Sequence, residues 1–334
     1  MRKLLLATAW LTVVSAVPAA VPAQAPAPLP TIDRSILHAQ VILDHLGFGP
    51  GILDGRNGLS FKAALRGFQE ARGLPKSGKL DRATLGALYP HRAIRPDRRI
   101  ALTAGMLAGP FINPTPKEYA DQARLPALAY RSPLEKLAEM FHTAPAVLVA
   151  MNSRDTALRP GAAIVVPNAL PASRDYPAGL DATWRRTLSD LNVDAQQPRA
   201  DRIVVDKSEG VLKLFDGERL VGQFMVTTGS EHDPLPIGTW KVNGADTNPR
   251  FHYNPDLFWD AKKDDDAAML PAGPNGPVGV VWLDLSKPHY GIHGTPEPQN
   301  IGRSESHGCI RLTNWDAARV ALIVKPGSPA VFQP

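Results

Sequence analysis

The sequence of 334 residues holds one cysteine, Cys309. A single thiol excludes an internal disulfide framework and any zinc site built on two or more thiolates. Its place far from the start also excludes a lipid-modified leader cysteine. The apolar run from Leu4 to Val17 falls short of the ~20 residues that cross a bilayer, so no stable membrane insertion is expected. An excess of charge of one sign is small as well. The formal net charge is +5 and is spread along the chain, which does not point to a nucleic-acid partner. The apolar share of 44% and charged share of 21% are those of a globular protein. With 33 prolines and 27 glycines the chain is rich in breakers without being low in complexity.

What is present begins with Arg2 and Lys3, the apolar run, and then small residues and prolines. This is the pattern of a secretory signal peptide. We place it at residues 1–23, with cleavage after Ala23, because a cut after Ala25 would set Pro26 beside the scissile bond. Residues 24–31 form a Pro/Ala linker. The mature protein is expected to be soluble and exported, to the periplasm. The length allows about two domains, or three small ones.

The first module covers residues 32–90. Ile36, Ala39, Val41, Ile42, Leu43 and Leu46 predict a helix ended by Gly47. A loop rich in turn residues leads to a second helix capped by Ser60 and a third capped by Asp81. The phrases Leu46-Gly47-Phe48, Asp54-Gly55, Phe68-Gln69, Gly73-Leu74 and Thr84-Leu85 resemble the peptidoglycan-binding type 1 module. The alternative is a three-helix domain whose apolar residues serve only as core.

Residues 91–127, without clear period, read as a connector. Residues 128–169 predict a strand at Leu128 to Tyr130, two helices starting at Ser132 and Pro145, and a strand at Ile164 to Pro167. The βααβ order and the phrase LRPGAAIVVP resemble a degenerate LysM module, a glycan-binding unit; the alternative is a helical spacer that positions the C-terminal domain. Residues 170–199 form a second connector with a short helix near Trp184. Residues 200–334 then hold many short strands: Ile203 to Asp206, Val211 to Phe215, Val221 to Thr228, Gly238 to Val242, Val278 to Leu285, Gly291 to His293 and Ala330 to Gln333, with a helix from near Asn314. Asp216-Gly217 is a hairpin signal. The whole chain is expected to be multidomain α+β, ending in a β-rich, sandwich-like domain. Residues 246–277 read as a long loop carrying Phe258, Trp259, Asp260 and Asp264 to Asp266.

Cys309 lies in Ser306-His307-Gly308-Cys309-Ile310-Arg311-Leu312, with His293 sixteen residues upstream in Gly291-Ile292-His293-Gly294-Thr295. A cysteine nucleophile needs a base or a positive neighbour. Histidine supplies one near neutral pH. Gly308 allows a sharp turn on which N–H groups converge to hold an oxyanion. Gly294 offers similar freedom, and its carbonyl can accept from the far imidazole nitrogen. Two other readings stand beside this one: an inert buried thiol, and a metal pair of His307 and Cys309 extended by His289 and His293.

The stretch from His293-Gly294-Thr295 through Ile301-Gly302-Arg303 to Ser306-His307-Gly308-Cys309-Ile310-Arg311 resembles the signature of L,D-transpeptidase catalytic domains, the YkuD-like family. Val226-Thr227-Thr228-Gly229, Pro234 to Gly238 and Tyr290 to Thr295 add to it. The resemblance implies exchange of stem peptides in peptidoglycan, with no cofactor and no metal. Cys309 would attack the third stem residue, D-alanine would leave, and a neighbouring amine would resolve the thioester as a 3-3 cross-link. Water, a free D-amino acid or a lipoprotein are alternative acceptors, and a vestigial wall-binding protein is a further alternative. His293 would carry the proton, His307 would orient the site, Gly308 would form the oxyanion turn and Gly294 would support His293. Arg311 would bind a substrate carboxylate or buttress its loop, with Ser306, Tyr290 and Thr295 as further contacts. Partners would be stem peptides and glycan, and carbapenems would acylate the thiol.

Overall fold

The structure is a computed structural model that describes residues 28–262 and 265–334. The expected leader at 1–23, the linker as far as residue 27, and Asp264 of the acidic run lie outside the described residues. In the N-terminal module, α1 (Arg34–His45) leads through β1 (Phe48–Gly49) to α2 (Leu59–Ala71) and α3 (Arg82–Leu88). Asp33 caps α1 by accepting from the N–H groups of Ser35 and Ile36 at 2.8 and 3.1 Å. Gly47 ends it with φ +82°. Ser60 is not the cap of α2: that helix starts one residue earlier on Gly58, whose carbonyl accepts from Lys62 N–H at 3.1 Å. Asp81 caps α3 as expected, at 2.9 Å from Thr84 N. Phe48, Phe61, Leu65 and Phe68 fill the module's core.

The middle region contains β2 (Asp97–Ala101), α4 (Tyr119–Gln122), α5 (Pro133–Met140), α6 (Pro145–Met151) and β3 (Ala163–Pro167). The strand expected at Leu128 to Tyr130 is absent. The partner of β3 is β2, paired antiparallel from Asp97 with Pro167 to Ala101 with Ala163. The physical reason is that Leu128 is already committed elsewhere. Its N–H donates to Ala272 O at 3.0 Å, and its carbonyl accepts from Asn275 N–H at 2.9 Å. The βααβ order therefore starts inside the stretch read as a connector, with residues 102–132 inserted before α5.

Helix α7 (Ala182–Asp190) sends Trp184 and Leu188 into the core of the C-terminal domain, so the second connector is part of that domain's packing. The domain itself runs through β4 (Arg202–Asp206), β5 (Val211–Asp216), β6 (Arg219–Met225), β7 (Gly238–Thr247), β8 (Phe251–Tyr253), β9 (Ala268–Leu270), β10 (Val281–Leu285), β11 (Gly291–His293), β12 (Ile310–Arg311), α8 (Asn314–Ile323) and β13 (Pro329–Gln333). Nine strands form one hydrogen-bonded series, β1-β6-β5-β4-β13-β7-β10-β11-β12, rather than the two separate sheets of a sandwich. The ten-residue β7 joins its halves, pairing β13 through Gly238 to Lys241 and β10 through Val242 to Thr247. The series curls on itself. Thr227, just past β6, exchanges two backbone bonds of 3.0 and 2.9 Å with Arg311 of β12. Inside lie Val205, Leu214, Phe224, Leu283 and Ile292, with Trp315 and Ala318 of the buried α8.

Three local readings shift. The tight turn is Gly217-Glu218, not Asp216-Gly217, because a bulge between Leu214 and Phe215 moves the register and leaves Asp216 paired with Arg219. Strand β10 begins at Val281, since Gly279 breaks it with φ +61°. The loop-rich stretch at 246–277 takes in the end of β7 and contains the paired strands β8 and β9.

One buried joint ties the three regions together. Asp44 of α1 receives Arg319 of α8 through two bonds of 2.8 and 2.9 Å, and His142, just past α5, at 3.0 Å. The other nitrogen of His142 meets Leu191 O at 2.8 Å. Both ring nitrogens face acceptors, so only the doubly protonated ring satisfies both bonds. Burial works against ionising Asp44, yet Arg319 and His142 hold its carboxyl well below the usual range. Asp316, 3.4 Å from Arg319, is pushed up by burial to about 7. Nearby, Glu139 is also raised by burial to about 7 and accepts from Asn314 Nδ2 at 2.8 Å.

The joint sets stability in two measurable ways. Asp44→Ala strands Arg319 without its main partner and should cost about 3–5 kcal/mol in a single urea transition, because the joint is shared. Glu139 keeps its proton in the folded chain beyond its ordinary pKa, so its contribution is full below that value and lost as pH rises through about 7. Glu139→Gln should therefore flatten the fall in stability between pH 5 and 8 by up to about one proton in slope, measured by urea denaturation across that range.

Candidate active site

Strands β11 and β12 build the site. They pair in parallel, with Ile292 against Ile310 and His293 against Arg311. Side chains alternate along a strand, so Cys309 and Arg311 share a face, and His293 joins them on it. Trp282 of β10, the antiparallel partner of His293, falls on the same face and stacks on the imidazole at 5.5 Å and 20°. These residues open into a cavity of about 680 Å³. Cys309 and Arg311 line it with Tyr290, His289 and His307.

Half-buried Cys309 has its Sγ 3.8 Å from the carbonyl of His289. Burial pushes its thiol up, opposed by the Gly291 N–H and the Arg311 guanidinium. His293 is fully enclosed, and its Nδ1 lies 2.7 Å from Gly294 O. A carbonyl can only accept, so Nδ1 carries the hydrogen and Nε2 keeps a lone pair. Burial first, and Arg311 second, lower the imidazole to about 3. The resting pair is therefore a neutral thiol and a neutral base rather than an ion pair.

The turn before Cys309 is fixed from several sides. Ser306 Oγ donates to Cys309 O at 2.6 Å, and Ser306 N–H to Thr228 O at 3.0 Å. Gly308 has φ +92°, and a Cβ there would lie 2.5 Å from the Tyr290 ring, so both conformation and space demand glycine. Among the described residues, the N–H groups of His307, Gly308 and Cys309 meet no acceptor. They are free to receive a developing oxyanion.

Other expected residues take different parts. Gly294 does not use left-handed freedom. It is small because Asn314 Oδ1 would lie 2.1 Å from a Cβ there. His307 bonds to Asp260 at 2.9 Å and meets Phe258 edge-on at 5.1 Å, so its contacts are with the β8–β9 segment, not with His293 or Cys309. Thr295 is buried and accepts from Glu297 N–H at 3.3 Å. Arg311 makes one long bond, 3.4 Å to Glu305 O, and its buried Nε has no partner. Such a cation buttresses little and is available to an anion. The described residues contain no group of three or more His, Cys, Asp or Glu arranged to hold a metal ion. Sequence reasoning misses the parts played here by Trp282 and Asn314. The alternation of β10 carries a signal for Trp282, but its register to β11 does not.

Alkylation of Cys309 by iodoacetamide, read by mass, should rise only at alkaline pH and show no inflection near 6.5. A plateau of high reactivity from pH 5 upward would instead reveal a thiolate–imidazolium pair.

Comparison with known proteins agrees with this geometry. Residues 200–332 match the family model described as the L,D-transpeptidase catalytic domain, and residues 34–88 match that of a peptidoglycan binding domain. YkuD of Bacillus licheniformis, named as an L,D-transpeptidase, is 32% identical over 133 residues, which are 40% of this chain and 66% of that protein. YkuD of Bacillus subtilis is 54% identical over 55 residues, 16% of this chain and 34% of its own length. YbiS of Escherichia coli, also named as an L,D-transpeptidase, is 47% identical over 49 residues, 15% of this chain and 16% of its own. The matched stretches thus span at most about two thirds of these relatives. Residues 89–199 lie outside both matched family models, so the LysM likeness of the middle region stays a resemblance in sequence. No helix among the described residues is long and apolar enough to cross a membrane. Residues 200–332, with Cys309, His293 and the open N–H turn at one cavity, are an L,D-transpeptidase catalytic domain, joined in this chain to a peptidoglycan-binding module.

Proposed function

We propose that the protein is an exported, wall-bound L,D-transpeptidase that forms 3-3 cross-links between peptidoglycan stems. The observation that carries this reading is the conjunction of Cys309, a base with its free Nε2 in the same cavity, and three N–H groups without acceptors. Cys309 Sγ attacks the carbonyl carbon of the third residue of a tetrapeptide stem while His293 Nε2 takes the thiol proton. The carbonyl oxygen becomes an oxyanion held by the N–H groups at His307 to Cys309. The carbon–nitrogen bond to the fourth residue then breaks, and His293 returns the proton to the departing amine of D-alanine. A thioester remains. The side-chain amine of a neighbouring stem gives a proton to His293 and attacks, forming the new amide, and Cys309 recovers its proton.

The peptidoglycan-binding module would keep the enzyme on its polymeric substrate. The middle region, in this reading, positions rather than catalyses, as its buried contacts through His142, Glu139 and Leu128 support. Carbapenems are expected to acylate Cys309 by the same attack.

Purified disaccharide-tetrapeptide incubated with the full chain should give a cross-linked dimer with loss of D-alanine, detected by mass. A tripeptide product would mean hydrolysis instead. Cys309→Ala should abolish product and the carbapenem adduct while retaining binding to sacculi. Absence of both product and adduct in the native chain would sink the proposal.

A further inference from the structure

The cavity at Cys309 is not made by the catalytic domain alone. Tyr119 lines it together with Cys309 and Arg311. Tyr119 opens the short helix α4, in the insertion between β2 and α5, outside the residues that match the catalytic-domain model. Two contacts hold it against the β8–β9 segment. Its ring meets Tyr253 at 4.1 Å, and its neighbour Glu118 bonds Lys262 at 2.9 Å. Ring and ion pair account for the docking of α4. They leave the phenol hydroxyl unused, since it has no hydrogen-bond partner among the described residues. Arg311 shows the same surplus: its Nε is buried and unpartnered. Tyr119 and Arg311 therefore bring a neutral and a cationic donor group to one cavity, whose other cations are Arg250 and Lys262, the latter already paired with Glu118. The chemistry that satisfies both is an anion with two oxygens. The carboxylates of a peptide stem are of that kind.

Resting on the transpeptidase reading above, we propose that Tyr119 is a substrate-contacting residue, supplied to the catalytic cleft by the middle region, whose hydroxyl acts with the Arg311 guanidinium on a carboxylate of the donor peptide. The middle region then sets substrate specificity as well as position. A stem peptide offers two such groups, the α-carboxylate of its terminal residue and the carboxylate at the far end of a diamino diacid in third place.

Binding isolates the proposal from turnover. In the full chain carrying Cys309→Ala, free tetrapeptide is titrated calorimetrically with and without Tyr119→Phe, which keeps the ring against Tyr253 and removes only the hydroxyl. Affinity should fall about tenfold, the scale of one hydrogen bond to a charged group. Tetrapeptides amidated at one carboxylate or the other identify the source: with the recognised group amidated, Tyr119→Phe should have no further effect. Iodoacetamide alkylation of Cys309 in the Tyr119→Phe single variant should match the native rate, because that probe carries no carboxylate. Unchanged peptide affinity on Tyr119→Phe overturns the proposal. So does an equal loss with both amidated peptides, which would make the hydroxyl merely structural. A weakened affinity in a chain whose native form makes no dimer or adduct would leave the contact standing and remove the transpeptidase reading.

Discussion

The structure depends on a carboxylate that water does not reach. Asp44 sits on α1, yet its carboxylate is paired with Arg319 near the end of the chain and bonded to His142 in the middle. No one region can bury this set alone, because each partner left behind would be an uncompensated ion or an unsatisfied ring nitrogen. The stacking of His142 on Trp315 at 5.1 Å adds an apolar lid to the same point. Modules that sequence reading separates by connectors are in this way parts of one interior. The connectors themselves take part: Leu128 pairs its backbone with the loop at 272–275, and Trp184 enters the catalytic core.

From that joint a line of contacts runs to the reactive face. Asn314 opens α8 next to Trp315, donates to Glu139 and to Pro274 O at 2.8 and 3.0 Å, and presents its Oδ1 to Val280 N–H at 3.2 Å. The same oxygen occupies the space that a side chain on Gly294 would need, and Gly294 O in turn fixes the tautomer of His293. The orientation of His293 is thus set by backbone and by a buried amide rather than by a carboxylate partner. Burial, with Arg311 behind it, keeps the ring uncharged, beside a thiol that burial also pushes up.

Much of this is legible in the residues. The glycine before Cys309, the histidine sixteen positions upstream and the alternation of short apolar runs point to the Cys309–His293 cavity and to the β-rich domain. Local chemistry also marks the caps at Asp81 and Ser132. Relations across long separations stay hidden in the sequence. Nothing near Tyr119 marks it as a cavity residue, because its role comes from docking on Tyr253 more than a hundred positions away. Sequence reading misplaces the partner of β3 for a related reason: Leu128 to Tyr130 has the apolar look of a strand, and Leu128 and Ala129 are indeed buried, but against another domain's loop. Gly294 shows the reverse case, where the residue type is read correctly and its cause is not.

The two residues of β1 form one of the shortest pieces of the nine-strand series, and they lie beside β6, pairing Phe48 with Gln223 and Gly49 with Phe224. Without them β6 would be an open edge with unpaired N–H and C=O groups, next to buried Leu220 and Phe224. Such an edge is a template for intermolecular strand addition. The N-terminal module therefore covers part of that edge. A C-terminal domain cut out at residue 200 would bare that edge, and would also lose Trp184 and Leu188 of α7 from its core and Asp44 from beside Arg319.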